Sequence, residues 1–272
     1  MKKVCVFAGS SSGSNQNYKE FFILFENLNF KIDKSTQTRK KIGLIVLASD
    51  YTIDIEFRKL FPFKNLEYFH SRIENSPIIN PKTLSDMKTK ISSTLKLILP
   101  GDKLDVVGYA CTSASVVLGE DEIFRSIKSV HPNAKCTTPI TSAFEAFKSF
   151  KAKNIAVITP YVKEVNEHIS SYMKRNGFNI SSFGSFNEKS DPVVASIDSK
   201  SIINGVKHII KNTNPDMVFI SCTSIKFMDF IPELEELIGI PVTTSNQAMA
   251  WHCMRLAGVN EKIPKLGRLF LH

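Results

Sequence analysis

The sequence predicts an α/β protein of two pseudo-twofold-related lobes, each with a mostly parallel sheet flanked by helices. Two observations support this fold class. From residue 40 onward, short apolar runs rich in β-branched residues alternate with segments of helical period, which favours parallel sheets covered by helices. One segment also recurs, because Asp105–Ser113 and Asp216–Ser224 are both largely apolar runs that end in Cys-Thr-Ser. Two thiols at equivalent points of two related halves indicate one active site between them.

The predicted strands are apolar runs bordered by turn residues, and their β-branched content favours strands over buried helices. They are 42–48, 66–70, 104–110, 154–159, 178–183, 216–221 and 240–243. Proline and glycine mark several helix ends, as at Pro139, where a helix begins, and at Gly177, where one stops. The predicted helices are 82–98, 140–150, 162–176, 200–212, 226–238 and 246–257.

The repeat extends beyond the cysteines. Lys41–Leu47 and Asn154–Pro160 open the two halves, and Thr137–Ala143 and Val242–Ala248 follow the two cysteines in the same order. This order at near-constant offset indicates internal duplication, although repeated units of strand, polar turn and helix occur in α/β proteins generally. We predict a first lobe over residues 41–152 and a second over residues 153–272.

The first forty residues form a separate segment. Val4–Gly13 resembles the opening strand and phosphate loop of the lysine-decarboxylase-like "lonely guy" phosphoribohydrolases, but the later Pro-Gly-Gly-x-Gly-Thr stretch of that family is absent. A glycine-serine loop alone is a weak signal. We predict that residues 1–40 are an N-terminal fragment without that activity, ending in a polar linker over Lys31–Lys40.

Composition narrows the class of partner and the compartment. The net charge is +9, but the lysines are scattered, so we expect a solvated surface and no nucleic-acid partner. No apolar run approaches the roughly 18 residues that span a bilayer, and the start lacks a signal-peptide core. Five widely spaced cysteines indicate free thiols in a reducing compartment. We expect a cytoplasmic protein with no membrane contact and no metal site, since the His and Cys spacings do not match metal ligands.

Candidate site residues lie just past the carboxyl ends of the predicted strands, where open parallel sheets form their sites. They are Asp50, Cys111, Thr138, Tyr161, Cys222 and Thr244. A thiol between a buried strand and a helix meets opposing effects, because burial raises its pKa and the helix N-terminus lowers it. The N–H groups and hydroxyls that follow each cysteine are candidate carboxylate ligands. These belong to Thr112, Ser113, Thr223 and Ser224.

Two thiols from equivalent halves suit proton transfer on opposite faces of a substrate. One thiolate removes a proton next to a carboxylate and the other thiol returns one, which inverts a stereocentre without a cofactor. Arg72 is a further candidate, as a bidentate carboxylate ligand. Plainer alternatives stay open: core packing for the two cysteines, an N-cap for Asp50, an ordinary helix-start aromatic for Tyr161 and a surface salt bridge for Arg72.

From about residue 39 to its end, the chain resembles the aspartate/glutamate racemase superfamily. The resemblance is to the branch of maleate cis-trans isomerases, arylmalonate decarboxylases and the racemase-like protein of ectoine utilisation, and it is closest to the last. It rests on several motifs: Ile42–Ile45, Ala48–Ile53, Gly108–Ser113, Thr137–Thr141, Ile158–Tyr161, Glu164–Asn166, Ile220–Thr223, Thr244–Ala248 and Gly267–Phe270. It implies the two-lobe fold, no cofactor, a small carboxylate or amino-acid substrate between the cysteines, and a homo-oligomer, expected to be a dimer.

The resemblance also implies residue roles. In maleate isomerases the cysteine matching Cys111 is the nucleophile, the one matching Cys222 assists, and the tyrosine matching Tyr161 contacts substrate. Asp50 stands where those enzymes carry Asn, and its carboxylate would repel a dianion such as maleate. Decarboxylases of this branch keep only the second cysteine, so two cysteines argue against decarboxylation.

We therefore predict a cofactor-independent isomerase of racemase or epimerase type, acting on a small amino or carboxylic acid, with a place in ectoine catabolism. One alternative is maleate cis-trans isomerisation by thiol addition. Another is a carboxylate-binding protein without catalysis.

Overall fold

A computed structural model describes residues 27–34, 38–60 and 65–272. Two units, Met1–Thr38 and Arg39–His272, divide the chain, and the strands and helices named below lie in the second. The resemblance of Val4–Gly13 to a phosphate loop falls outside the described residues. The boundaries of the predicted segments, 1–40, 41–152 and 153–272, stay predictions.

The first lobe alternates strands with helices in chain order. Its elements are β1 (Lys40–Leu47), α1 (Ile53–Leu60), β2 (Leu66–Ile73), α2 (Pro81–Ser85), α3 (Ile91–Leu95), β3 (Val106–Ala110), α4 (Thr112–Leu118), α5 (Glu120–Lys128), β4 (Lys135–Thr137) and α6 (Pro139–Ser149). The central strand β3 is wholly buried. Such a strand needs a continuous apolar run, because helices cover both of its faces.

The second lobe repeats this alternation. Its elements are β5 (Asn154–Thr159), α7 (Lys163–Arg175), β6 (Asn179–Ser185), α8 (Asp191–Val194), α9 (Ser199–Ile210), β7 (Met217–Ile220), α10 (Ile231–Ile238), β8 (Val242–Thr244) and α11 (Ser245–Leu256). The strand β7 matches β3, since both are fully buried.

The two sheets share one topology. Within the described residues, the strand orders are β2-β1-β3-β4 and β6-β5-β7-β8, and every pair of neighbouring strands is parallel. The second order is the first with each strand replaced by its counterpart four strands later, as duplication predicts. The predicted fold class of two lobes with parallel sheets flanked by helices is confirmed.

The last helix joins the second lobe to the first. Helix α11 packs against α6 and β3, and one buried apolar core runs through both lobes. Gly108 in β3 permits this approach, because a Cβ at that position would lie 2.3 Å from Cε of Met249. The absence of a side chain at this one position therefore allows a helix of the second lobe to pack against the sheet of the first.

Two predicted helices differ from those observed. The predicted helix 82–98 is divided into α2, a 3-10 turn at Lys88–Lys90 and α3, in a segment rich in Ser and Thr, whose hydroxyls compete for backbone groups. Ser93 does so by donating to the carbonyl of Lys90 at 3.0 Å. The predicted helix 226–238 begins at Ile231 because Pro232 is tolerated only in a first turn.

Candidate active site

The two cysteines face one small pocket between the lobes. Cys111 directly follows β3, Cys222 follows β7 after one residue, and both side chains line the pocket. Its other lining residues are Leu47, Asn75, Ser76, Ile78, Ile79, Thr83, Leu84, Met87, Ser113, Tyr161, Asp191, Thr223 and Ser224. The sequence prediction that the repeated motif places two thiols at one site therefore agrees with the structure.

The surroundings of the two thiols are unequal. Cys111 is the N-cap residue of α4, whereas Thr223 and Ser224 form a turn, and no helix begins before the 3-10 turn at Met228–Phe230. The prediction of a helix N-terminus beside each thiol thus holds for Cys111 and is wrong for Cys222. The two halves offer different electrostatic settings for the same side chain.

Burial controls the acidity of both thiols. It raises the pKa of Cys111 to about 12, against the opposing effects of the Ala114 N–H and the Ser113 hydroxyl. Burial, followed by the charge of Asp191, raises the pKa of Cys222 to about 12 as well. The two thiols are close enough for their charges to interact. Each thiolate, once formed, is therefore a strong base in a site that opposes a second negative charge.

Tyr161 connects the two halves of the pocket. Its side chain is 1% exposed, and its hydroxyl interacts with the Cys222 thiol, whose pKa it lowers, and with the Ser113 hydroxyl. Its backbone is fixed by Asn166, whose Nδ2 donates to the carbonyl of Tyr161 at 2.7 Å. Burial raises the pKa of Tyr161 itself, so its hydroxyl keeps its proton and acts as a donor.

Two segments cover the pocket from opposite lobes. An isolated antiparallel bridge pairs Ile78 with Ser190, and the Asp191 N–H donates to the Pro77 carbonyl at 3.2 Å. The cavity volume is about 10 Å³, so the two segments leave little open space beside the thiols.

Asp191 is the acidic side chain of the pocket lining, and sequence reasoning did not identify it. It is 2% exposed. One carboxylate oxygen accepts a hydrogen bond from Ser224 Oγ at 2.9 Å, and the other accepts one from Ser49 Oγ. Asn75 in turn donates to Ser49 Oγ at 2.8 Å. The signal in the sequence was Asp-Pro at a helix start, but it lies 31 residues before Cys222 and outside every repeated motif.

Asp50 lies beside the pocket and has two different oxygens. Its Oδ1 accepts from the N–H groups of Thr52 and Ile53 at 2.7 and 2.8 Å, as in the capping alternative. Its Oδ2 is buried without a hydrogen-bond partner. Burial raises the pKa of Asp50 to about 6, and its charge interacts with those of Asp191 and Cys111. Capping therefore uses Oδ1 and leaves Oδ2 without a hydrogen bond.

The hydroxyls after the cysteines differ in what they contact. Ser113 Oγ lies 3.7 Å from Cys111 Sγ and lines the pocket. Thr112 instead hydrogen-bonds with Ser245 at 2.8 Å and is not part of the lining. Thr223 lines the pocket, but its hydroxyl points towards the carbonyl of Ala110 at 3.5 Å, and that of Ser224 donates to Asp191. For Thr112 the structure does not support the expected carboxylate contact.

Three further candidates have structural contacts and do not line the pocket. Thr138 caps α6 by accepting from the Thr141 N–H, and Thr244 caps α11 in the equivalent way through Gln247. Arg72 donates to the carbonyls of Leu47 and Asp50 at 3.0 and 2.9 Å and pairs with Asp54. In the structure the two threonines start helices and the arginine fixes the loop after β1, and the expected substrate contacts of these three residues stay predictions.

The sequence of this chain matches a known protein family. Residues 99–270, more than half of the chain, match the family of arylmalonate decarboxylase. The chain belongs to the arylmalonate decarboxylase family. This confirms the resemblance to the branch that contains arylmalonate decarboxylases and maleate isomerases, and it makes the chain a member of a family of enzymes.

Two related enzymes match half or more of this chain. The chain is 23% identical to maleate isomerase of Nocardia farcinica over 239 residues, covering 85% of this chain and 95% of that protein. It is 28% identical to arylmalonate decarboxylase of Bordetella bronchiseptica over 137 residues, covering 50% and 57%. The same family thus contains similar proteins named for an isomerisation and for a decarboxylation.

Solved structures of the family share the fold. The Nocardia farcinica maleate cis-trans isomerase bound to Tris superposes with a TM-score of 0.77 at 21% identity, covering 85% of this chain and 97% of that one. A structure of arylmalonate decarboxylase in the liganded form gives a TM-score of 0.74 at 22% identity, covering 85% and 98%. The two-lobe architecture is therefore that of the arylmalonate decarboxylase family.

The described residues form neither a metal-binding cluster nor a membrane-spanning helix. Within the described residues, no three His, Cys, Asp or Glu side chains are grouped so as to hold a metal ion. None of the helices in the same part of the chain combines the length and the apolar character that crossing a bilayer requires. That the reaction needs no cofactor stays a prediction.

Proposed function

We propose that this protein is a cofactor-independent isomerase that inverts a stereocentre of a small amino or carboxylic acid. The observation that carries the proposal is the convergence of Cys111 and Cys222 on one pocket from equivalent strand ends. Proton transfer on two opposite faces of one carbon needs two acid/base groups on opposite sides of the substrate. The place of the two thiols at the ends of equivalent strands supports such an arrangement.

The reaction divides into two proton transfers. One cysteine, as thiolate, takes the proton from the carbon next to the carboxylate, and the other, as thiol, gives its proton to the opposite face. The carboxylate accepts hydrogen bonds from backbone N–H groups at the start of α4 and in the Thr223–Ser224 turn, which stabilise the intermediate carbanion. After turnover the two cysteines have exchanged protonation states, so the enzyme is ready for the reverse direction and returns to its first state by proton exchange.

A second candidate is cis-trans isomerisation of maleate by thiol addition. Its support is the family, in which relatives named maleate isomerase match this chain over about 85% of its length. A cysteine-to-serine variant of the Nocardia farcinica enzyme is described with a covalently bound succinylcysteine intermediate. On this alternative Cys111 or Cys222 would add to the double bond, rotation about the new single bond would follow, and the thiolate would leave.

The proposed setting follows from the thiols and from the sequence motifs. Free thiols are stable in a reducing compartment, and Cys111, Cys136, Cys222 and Cys253 are free, which supports the cytosol as the place of action. The resemblance to the ectoine-utilisation protein supports diaminobutyrate and its N-acetyl forms as substrates to test. The same resemblance supports a homodimer.

The test is α-proton exchange in deuterated water, followed by NMR. Each enantiomer of aspartate, glutamate, diaminobutyrate and N-acetyldiaminobutyrate would be incubated with the wild type, with Cys111→Ser, with Cys222→Ser and with Cys136→Ser. Cys136 is half-buried in β4, outside the pocket, so its variant is the matched control. We expect exchange with inversion of at least one substrate in the wild type and the control, and loss in both pocket variants.

Other outcomes separate the alternatives. Conversion of maleate to fumarate, with a covalent mass adduct on one cysteine, would replace inversion by thiol addition. A pocket variant with wild-type turnover would contradict the two-thiol mechanism. Thermal stabilisation by a ligand without turnover of any substrate would favour a binding protein without catalysis.

A further inference from the structure

We infer that the substrate carries an ammonium group, and that Asp191 is the specificity-determining residue that binds it. This inference rests on the proposed function, because it names the substrate class of the same pocket. It selects amino acids, and it selects against dicarboxylates such as maleate.

Asp191 is held as a ready acceptor. Ser224 from the cysteine turn and Ser49 from the first lobe each donate to one of its carboxylate oxygens, and its backbone is anchored to Pro77 in the segment that covers the pocket from the other lobe. Each carboxylate oxygen accepts more than one hydrogen bond, so both retain capacity for a donor inside the pocket. The donor would lie beside the two thiols, since Asp191 and both cysteines line the same cavity.

Asp50 gives a second, independent indication of a missing donor. Its side chain is 3% exposed and its Oδ2 is buried without a hydrogen-bond partner, which is costly for a carboxylate oxygen. Its charge interacts with that of Asp191 and with that of the Cys111 thiolate. A cationic ligand at Asp191 would offset the repulsion between the two carboxylates.

The charge balance of the pocket disfavours a dicarboxylate substrate. Among the described residues that line it there is no Lys, Arg or His. A dicarboxylate would bring two negative charges into a pocket lined by Asp191 without a cationic side chain to pair with. A zwitterionic amino acid places its carboxylate on backbone N–H groups and its ammonium on Asp191, and the ammonium also favours formation of the thiolate that the reaction needs.

The test measures binding and needs no turnover. Isothermal titration calorimetry near pH 7.5 would compare three four-carbon ligands: butyrate, succinate and 2-aminobutyrate. The proteins would be the wild type, Asp191→Asn and Asp198→Asn. Asp198 is an exposed N-cap residue of α9, where Asn caps equally well, so its variant makes the same change of charge outside the pocket.

We expect the wild type and Asp198→Asn to bind 2-aminobutyrate at least about tenfold more tightly than butyrate or succinate, as a hydrogen bond to a charged group implies. Asp191→Asn should lose that preference. Equal or tighter binding of succinate by the wild type, no binding of 2-aminobutyrate, or an unchanged preference in folded Asp191→Asn would each overturn the inference. The wild-type ranking decides even if Asp191→Asn does not fold. Absence of turnover would count against the proposed reaction and would leave this ranking interpretable.

Discussion

Ser224 donates a 2.9 Å hydrogen bond to Asp191 and thereby joins the turn that follows Cys222 to the loop that covers the pocket. The same Asp191 is, after burial, the largest cause of the raised pKa of the Cys222 thiol. One contact therefore couples the position of the cover to the acidity of a cysteine. A ligand that neutralises Asp191 would make the Cys222 thiol more acidic when the pocket is filled.

The pH dependence of catalysis follows from the thiol acidities. Both thiols have a pKa of about 12, and the proposed reaction needs one of them as thiolate. At any pH well below 12 the thiolate fraction increases with pH, so kcat/KM should rise about tenfold per unit between pH 7 and pH 9. Steady-state kinetics across this range, with the substrate found by proton exchange, would measure the slope. A plateau below pH 9 would show that the free enzyme already holds a thiolate.

Tyr161→Phe should slow the reaction through Cys222. The tyrosine hydroxyl lowers the pKa of that thiol, so its removal makes the thiolate harder to form. We expect kcat/KM to fall about tenfold at every pH between 7 and 9, as for the loss of one hydrogen bond to a charged group. An unchanged free energy of unfolding, measured by urea denaturation, would separate this loss from a purely structural effect of the tyrosine.

Tyr172→Phe is the matched control for Tyr161→Phe. Tyr172 also loses a hydrogen bond, to Glu120, but it does not line the pocket. Its variant should keep the wild-type pH profile. If both variants behave alike, the effect at Tyr161 is one of stability and the assigned role is wrong.

The sequence predicted the parts of this protein that depend on local pattern. Runs such as 154–159 were recognised because a buried parallel strand needs uninterrupted apolar residues, and β5 has those bounds. The Cys-Thr-Ser repeat located both thiols, because equivalent strands of duplicated sheets end at equivalent places. Strand β4, Lys135–Thr137, is not predicted because it begins with an exposed lysine and only Thr137 is buried, so it shows no apolar run.

Long-range placement was beyond the sequence. Asp191 reaches the pocket through a loop of the second lobe, and its partner Ser49 lies 142 residues earlier. No local pattern specifies such a contact. Arg72 was expected at the substrate because arginine suits carboxylates, yet its guanidinium binds backbone carbonyls of the neighbouring loop. The residue type indicated a hydrogen-bond donor for oxygen acceptors, but the acceptors that the guanidinium reaches depend on tertiary structure.

Gly267→Ala should destabilise the fold more than Gly101→Ala. Both glycines have positive φ, +94° and +85°, so both variants incur a backbone cost, and the ψ of 174° at Gly267 lies in a region essentially restricted to glycine. A Cβ at Gly267 would also lie 2.9 Å from Cγ2 of Ile231, whereas one at Gly101 would meet nothing within 4 Å. We expect the difference in the free energy of unfolding to be about 1–3 kcal/mol, measured by urea denaturation. Equal losses would show that the neighbours of Gly267 move aside without cost.

Glu56 should make the protein less stable as the pH rises. Its carboxylate is buried between α1 and the second lobe, where Oε1 accepts from the N–H groups of Phe227 and Met228, both at 2.9 Å, and Oε2 accepts from Asn246 at 2.7 Å. Burial outweighs these hydrogen bonds and raises its pKa from 4.5 to about 7. The folded state thus binds more protons than the unfolded state between these values, so the stability from the protonated group is lost as pH rises from about 4.5 to 7.

Replacement of Glu56 by Gln removes this titration. The wild-type free energy of unfolding, measured by denaturant at several pH values, should fall relative to that of Glu56→Gln by on the order of 3 kcal/mol across this window. The difference between the two curves isolates Glu56 from the other acidic groups. Glu233→Gln, an exposed change on α10, should follow the wild-type curve throughout. A constant difference between wild type and Glu56→Gln would mean that the three hydrogen bonds keep the buried carboxylate ionised, and that Glu56 joins the two lobes as an anion.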